Sequence, residues 1–158
     1  VGELFILLRH AHAGDKKNWD GPDADRPLST LGDQQAQGLV ETLTGIEVAV
    51  LFSSPTTRCR QSLLPLADER GLSVQDHPLL GPDAPPEELF AVLHAPDADR
   101  AVFCTHGEVL NALAEFARSH GTPGVPPSGA TAKGGAWFVD CAAGVPPTLK
   151  YLAPAPAR

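Results

Sequence analysis

The sequence of 158 residues predicts one α/β domain over residues 1–158, three layers deep, with a mostly parallel central sheet between helices. Two patterns predict it. Three short apolar runs, Leu4–Leu8, Val48–Phe52 and Ala101–Cys104, are nearly continuous and end at polar residues, as strands buried on both faces do. The segments between them carry helical spacing instead of alternation. Size and composition agree: a chain of this length buries about 68–70% of its unfolded surface. With 42% apolar and 20% charged residues, it has the makings of a core and none of the bias of a disordered chain.

Each element has a local reason. Ser29 caps a helix that reaches Leu43, with Leu31, Leu39 and Leu43 among its apolar positions. Thr56 or Thr57 starts a second helix running to Asp68, which Pro65 is expected to kink or shorten, because proline lacks an N–H and clashes with the carbonyl four residues back. Leu72–Gln75 is a weak extra strand. Pro86 suits the first turn of a helix to about Leu93. Gly107 to Arg118 forms another helix, ended near Gly121. Ala136–Cys141 and Thr148–Leu152 form a late strand pair. Gly14–Pro27 and the Gly- and Pro-rich Gly121–Gly135 are long surface loops, a kind that is often functional. The tail, residues 153–158, is expected to fray.

Charge and cysteine content narrow the function classes. Twelve Lys and Arg against nineteen Asp and Glu give a net charge of −7 and a pI of about 5.2, which argues against nucleic acid or a membrane surface as the main partner. No apolar stretch reaches the roughly 18 residues of a membrane helix. Val1–Leu8 is too short, and too interrupted by Glu3, for a signal peptide. Cys59, Cys104 and Cys141 show no close pair, so a cytoplasmic setting fits better than a disulfide framework or a zinc site. The absence of methionine points to a chain that is trimmed or cut from a longer one.

The residues that can carry chemistry share a position. Arg9-His10 follows the first apolar run, Ser53-Ser54-Pro55 with Arg58 follows the second, and Thr105-His106-Gly107 follows the third. Ligands of open α/β sheets bind at the carboxyl ends of the strands, so two histidines and two arginines land on one rim of an acidic protein. Guanidinium forks suit a tetrahedral oxyanion. Helix N-termini after Thr57 and His106 add backbone N–H groups for the same anion. Arginine charges also push the pKa of a neighbouring histidine down, and a neutral imidazole is a competent nucleophile. The residues alone therefore read as a phosphate pocket with a nucleophilic histidine.

Leu8-Arg9-His10-Ala11, Arg26-Pro27-Leu28-Ser29 with Gly32, Ser53-Ser54-Pro55 with Arg58, and Thr105-His106-Gly107 together resemble the histidine phosphatase superfamily, the phosphoglycerate-mutase-like group. Within it the sequence is most similar to the small phosphohistidine phosphatases of the SixA type, and to the phosphatase domain that follows a Nudix domain in some actinobacterial proteins. The resemblance spans residues 4–118. It implies a phosphoglycerate-mutase-like fold, with His10 as the group that takes the phosphoryl and Arg9, Arg58 and His106 holding its oxygens, assisted by Gly107. It also implies no metal and no organic cofactor. His12 is a possible accessory at the pocket entrance. Many members carry a Glu as proton donor after a hydrophobic-Leu pair; here Leu79-Leu80 is followed by Gly81-Pro82-Asp83, with Glu87 and Glu88 further on, so the acid is left open among Asp83, Glu87 and Glu88. A weak acid favours a good leaving group, which tilts the substrate toward phosphohistidine or a nucleotide anhydride and away from a sugar monoester.

Other chemistries fit less well. His10-Ala11-His12 with Asp15 has zinc-like spacing, but adjacent arginines repel a cation and no second ligand cluster follows. The Cys-x5-Arg loop of cysteine phosphatases is absent: the sixth residue after Cys104 is Leu110 and after Cys59 is Pro65. No phosphate-binding P-loop is present either. His77, His94 and His120 are assigned to the surface, Lys16 and Lys17 to a solvated loop, and Cys59 and Cys104 to the core. The expected function is phosphoryl hydrolysis through a phosphohistidine at His10, on a small-molecule or protein phosphohistidine substrate. The alternatives are a monoester or nucleotide anhydride hydrolase with the same nucleophile, and a non-catalytic phosphoryl-binding module. Oligomeric state stays open.

Overall fold

A computed structural model describes residues 3–141 and 146–155. Strand β1 (Glu3–Arg9) leads through a long loop into helix α1 (Thr30–Thr42); β2 (Val50–Ser53), α2 (Thr57–Arg70) and β3 (Val74–Asp76) follow. Then come α3 (Pro86–Leu93), β4 (Ala101–Thr105), α4 (Gly107–Ser119), β5 (Ala136–Cys141) and β6 (Thr148–Leu152). The strands form one sheet in the order β3-β2-β4-β1-β5-β6. The first three pairings are parallel, and β5 and β6 add an antiparallel edge.

The apolar runs are continuous because the inner strands are buried on both faces. Along β1, Phe5 and Leu7 meet Leu89, Leu93, Leu110 and Leu113 of α3 and α4. Ile6 and Leu8, facing the opposite way, meet Leu39 and Leu63 of α1 and α2. These two cores make the three layers that the sequence predicts.

Local signals set most boundaries. The Ser29 hydroxyl accepts the Gly32 N–H at the start of α1, and Gly71, at φ 67°, closes α2. Helix α2 is not shortened by Pro65. It continues to Arg70 because Leu63, Leu66 and Ala67, on either side of the proline, are buried in the core, and that packing outweighs one lost hydrogen bond. β2 begins two residues later than its apolar run, and β3 is shifted to Val74–Asp76. Gly14–Pro27 is irregular apart from 3-10 turns at Lys16–Asn18 and Asp23–Asp25. His94 and His120 are exposed as expected, each with its ring on the phenylalanine four residues earlier. His77 is half-buried, edge-on to Phe52. Of the tail, residues 153–155 lie in irregular structure with Ala155 against Gly38 of α1, and residues 156–158 fall outside the described residues.

One topological feature positions the site. β1 and β4 are parallel neighbours, yet the chain leaving β1 crosses to β2 while the chain leaving β4 passes the other way to β5. A crevice therefore opens at their carboxyl ends, where open α/β sheets bind ligands. No helix among the described residues is long and apolar enough to cross a membrane.

Leu63 is fully buried in the α1/α2 core. Leu63→Ala is expected to destabilise the fold by about 2–5 kcal/mol, measured by urea unfolding. A loss below about 1 kcal/mol would mean that this core closes over the cavity.

Candidate active site

Arg9 and Thr105 are register partners at the ends of β1 and β4, and the His10 N–H donates to the Thr105 carbonyl at 3.0 Å. That pairing sets the next residue of each strand side by side. The His10 and His106 rings stand 5.4 Å apart, centroid to centroid, inclined at 66°. Both are buried, at 7% and 1% exposure. Arg58 comes in from the first turn of α2, 5% exposed, and Arg9 lies across the start of α4. The structure thus brings together the four residues the sequence singles out.

His10 is oriented by its own neighbour. Its Nδ1 lies 2.8 Å from the Ala11 carbonyl, which can only accept, so Nδ1 carries the proton and Nε2 keeps its lone pair. Its pKa is lowered from 6.5 to about 4. Burial is the largest cause, the Ala11 hydrogen bond works against it, and the charges of His106, Arg58 and Arg9 add to it. Sequence reasoning credits the arginines; desolvation does more. Ala11 is itself fixed: its N–H donates to the Ser62 hydroxyl, which donates to the Arg58 carbonyl.

His106 is set by a hydroxyl pair. Its Nε2 lies 2.9 Å from Ser54 Oγ, and Thr56 Oγ1 donates to that same oxygen. Its Nδ1 sits 3.5 Å from Arg58 Nη2, so the ring is held at both nitrogens. Sequence reasoning quotes Ser54 in its motif without giving it this task.

The two arginines are held in the same manner. Arg9 Nη1 donates to the Thr131 carbonyl at 2.7 Å. Arg58 Nη1 donates to the Asp23 carbonyl at 2.9 Å and its Nη2 to the Asp23 carboxylate at 3.1 Å. In each case the protein takes the outer end of the guanidinium. The Nε atoms of Arg9 and Arg58 are the buried side-chain polar atoms that have no hydrogen-bond partner among the described residues. Nε–H and Nη2–H point in parallel along one edge of the group, the edge that grips two oxygens of an oxyanion. Buried donors are otherwise paired in proteins, so the two unpartnered Nε–H groups are what an oxyanion in the crevice would satisfy.

Gly107 makes room for one edge. A Cβ there would stand 2.8 Å from Arg9 Cζ and 2.9 Å from Arg9 Nε and Nη2. Gly32 plays the matching part at α1, where a side chain would strike the His12 carbonyl. His12 faces away from chemistry: its Nδ1 accepts from the Gly14 N–H and lies 2.7 Å from the Ser29 hydroxyl, tying the loop after β1 to the α1 cap. Asp83, Glu87 and Glu88 are exposed and make no hydrogen bond or ion pair with the four central residues. An apolar cavity of about 140 Å³ lies elsewhere, between α4 and β5, and adjoins the site through Thr131.

Residues 5–81, which carry Arg9, His10 and Arg58, match the histidine phosphatase superfamily (branch 1). The chain resembles that family over just under half of its length. It is 29% identical over 162 residues to the 8-oxo-(d)GTP phosphatase of Mycolicibacterium smegmatis, covering 96% of this chain and 48% of that protein. The chain thus spans about half the length of this curated relative. Among solved structures, the protein histidine phosphatase SixA complexed with tungstate superposes with a TM-score of 0.77 at 21% identity, covering 96% of this chain and 97% of that one. The putative phosphohistidine phosphatase SixA of Nakamurella multipartitia gives 0.71 at 22% identity, covering 99% and 98%. The phosphoglycerate-mutase-like fold expected from the motifs is the one observed.

Two outcomes follow from the geometry. By nuclear magnetic resonance the His10 ring protons should titrate at about 4, and a midpoint near 6.5 would overturn the burial argument. Because the unfolded ring binds its proton near 6.5, the unfolded chain holds more protons between those pH values. Stability should therefore fall as pH drops through that window, by about 3 kcal/mol in full from this residue. Gly107→Ala should leave the fold intact, since the clash is with the end of a flexible side chain, but displace Arg9. Tungstate affinity is expected to fall roughly ten- to a hundredfold, the worth of one charged hydrogen bond, by calorimetry; unchanged affinity would mean that Arg9 does not grip the anion.

Proposed function

We propose that this domain hydrolyses a phosphoryl group through a covalent phosphohistidine at His10, without a metal. The observation that carries this reading is the pair of buried, unpartnered Nε–H groups of Arg9 and Arg58 beside an unprotonated His10 Nε2. In the first step Nε2 bonds to phosphorus as the bond to the leaving group breaks in line. The equatorial oxygens gather charge against Arg9, Arg58 and His106. In the second step water bonds to phosphorus, the P–N bond to His10 breaks, and orthophosphate leaves. The α4 N-terminus at Gly107 adds backbone N–H groups and a favourable dipole.

The substrate follows from the leaving group. Gly81 follows Leu79-Leu80, where the family resemblance implies an acid, and Asp83, Glu87 and Glu88 stand exposed with no hydrogen bond or ion pair to His10 or Arg58. A phosphoramidate or a phosphoanhydride needs little acid help, so the preferred substrates are a protein phosphohistidine or a nucleotide anhydride. Likeness to SixA structures favours the first, and the nucleotide phosphatase relative favours the second. A module that only binds phosphoryl groups would gain nothing from an imidazole kept neutral.

The test is chemical. Mixing with a phosphohistidine peptide, a nucleoside triphosphate and an alkyl phosphate in parallel should give burst kinetics and an acid-labile, base-stable phosphoenzyme with the first two. Comparable turnover of the alkyl phosphate would overturn the leaving-group argument. His10→Ala should abolish the phosphoenzyme, and parental hydrolysis by that variant would remove the nucleophile. Arg58→Ala is expected to lower turnover about 10³-fold, the scale of a transition-state arginine, with a loss under tenfold counting against its role. Activity should persist in chelator.

A further inference from the structure

We propose that Asp23 is a positioning residue for Arg58, held in place by Arg26, and that this three-residue clamp sets the plane in which Arg58 meets the phosphoryl group. The inference rests on the phosphoryl-transfer reading above and extends it to two residues outside the quartet. Asp23 offers Arg58 two acceptors, its carbonyl to Nη1 and its carboxylate Oδ2 to Nη2. Its other carboxylate oxygen accepts from Arg26 Nε at 3.1 Å. Arg26 Nη1 in turn donates to the Ala13 carbonyl at 3.0 Å and the Gly14 carbonyl at 3.3 Å, just beyond β1. The clamp thus joins the chain that carries His10 to the side chain that must face the same phosphorus.

The geometry divides the Arg58 guanidinium into two edges with separate partners. Asp23 occupies the outer Nη1/Nη2 end. The Nε/Nη2 edge is left, with Nε buried and unpartnered and Nη2 3.5 Å from His106 Nδ1. A long side chain free to rotate would lose entropy at each binding event; one pinned through two acceptors presents its remaining donors already oriented. Asp23 stays ionised for this purpose. Burial works to raise its pKa, but the Arg26 hydrogen bond and the Arg58 and Arg26 charges hold it below the usual carboxylate value. An opposite assignment is physically available: a carboxylate on Arg58 could compete with the substrate anion. The two differ in sign, because removing a competitor speeds the reaction and removing a support slows it.

The test is a double-mutant cycle on the full chain, with 4-nitrophenyl phosphate turnover and tungstate calorimetry as readouts and thermal melting as the folding control. Asp23→Ala and Asp23→Asn are each expected to lower kcat about 10- to 100-fold, the usual scale for a residue that orients a site group, with KM changed less than threefold. In an Arg58→Ala background, Asp23→Ala should lower kcat less than twofold further, since the side chain it positions is gone. Arg26→Ala should mimic Asp23→Ala, and the pair together should equal either alone. An equal loss from Asp23→Ala in both backgrounds would assign Asp23 to loop folding and overturn the proposal. So would a rise in kcat/KM or in tungstate affinity on its removal, or full activity of both Asp23 variants while Arg58→Ala remains impaired. If Asp23→Ala does not fold, Asp23→Asn, nearly isosteric, carries the same comparisons. An Arg58→Ala protein as active as the parent would instead signal failure of the underlying phosphatase reading.

Discussion

A crevice that buries two guanidinium groups beside an imidazole has to dispose of its positive charge. Guanidinium cannot lose its proton in a protein, so the imidazole gives way. His10 is pushed down to about 4, chiefly by desolvation, and stands neutral at physiological pH. The guanidiniums then need acceptors, and the fold supplies them on one side of each group: the Thr131 carbonyl for Arg9, and the Asp23 carbonyl and carboxylate for Arg58. What remains on each guanidinium is the edge that carries its buried, unpartnered Nε–H. Much of the surrounding structure can be understood as holding those edges still: the β1/β4 register, the Ser62 link from α2 to Ala11, the bare Cα of Gly107.

The two long irregular loops acquire a purpose in this light. Gly14–Pro27 brings Asp23 to Arg58, and Gly121–Gly135 brings Thr131 to Arg9. Each loop therefore steadies one arginine from outside the sheet. The Asp23 carbonyl does double duty, accepting the Arg26 N–H of its own 3-10 turn at 3.1 Å as well as Arg58 Nη1. The second loop is also stitched to the strand it serves, with the Gly134 N–H bonded to the Arg9 and His10 carbonyls and the Arg9 N–H to the Gly135 carbonyl. Thr131 is anchored further by its hydroxyl, which accepts from the Trp137 indole.

What the sequence made legible divides along the same line. Ser29 at α1, Pro86 at α3 and Gly107 at α4 lie within a residue of the observed helix starts, and β5 and β6 have the expected bounds, because caps, proline and short apolar runs are local signals. The four central residues were legible because topology, not contact, places the ends of parallel strands together. The clamps were not. Nothing near Thr131 marks its carbonyl as the partner of a residue 122 positions away. Asp23 carried one available hint, an acid three residues before Arg26 in the i,i+3 relation that forms ion pairs. Its partnership with Arg58 depends on where a loop folds over α2. Pro65 shows the reverse: a local rule foretold a kinked or shortened helix, and burial of its neighbours carries the helix on to Arg70.

The charge balance of the pocket bears on the chemistry it favours. Asp23 offsets much of one guanidinium, so the site presents less net positive charge than two arginines imply, while the donors aimed at phosphorus are undiminished in number. Such a pocket binds a phosphoryl group by direction more than by bulk attraction. That suits a loose transition state, in which the transferring group gathers charge on its equatorial oxygens while the leaving group departs. In the proposed mechanism product orthophosphate carries no lasting bond to His10 and faces only a moderate field, which eases its release. A site with both arginines unrelieved would hold the same product more tightly and slow its own turnover. The departing group, for its part, meets no carboxylate from Asp83, Glu87 or Glu88, which make no hydrogen bond or ion pair with the central residues, and the Asp23 carboxylate that does reach Arg58 is engaged by two arginines. Under the proposed mechanism, strong orientation of the phosphoryl group and weak assistance to what departs go together, and both favour bonds to phosphorus that are already labile.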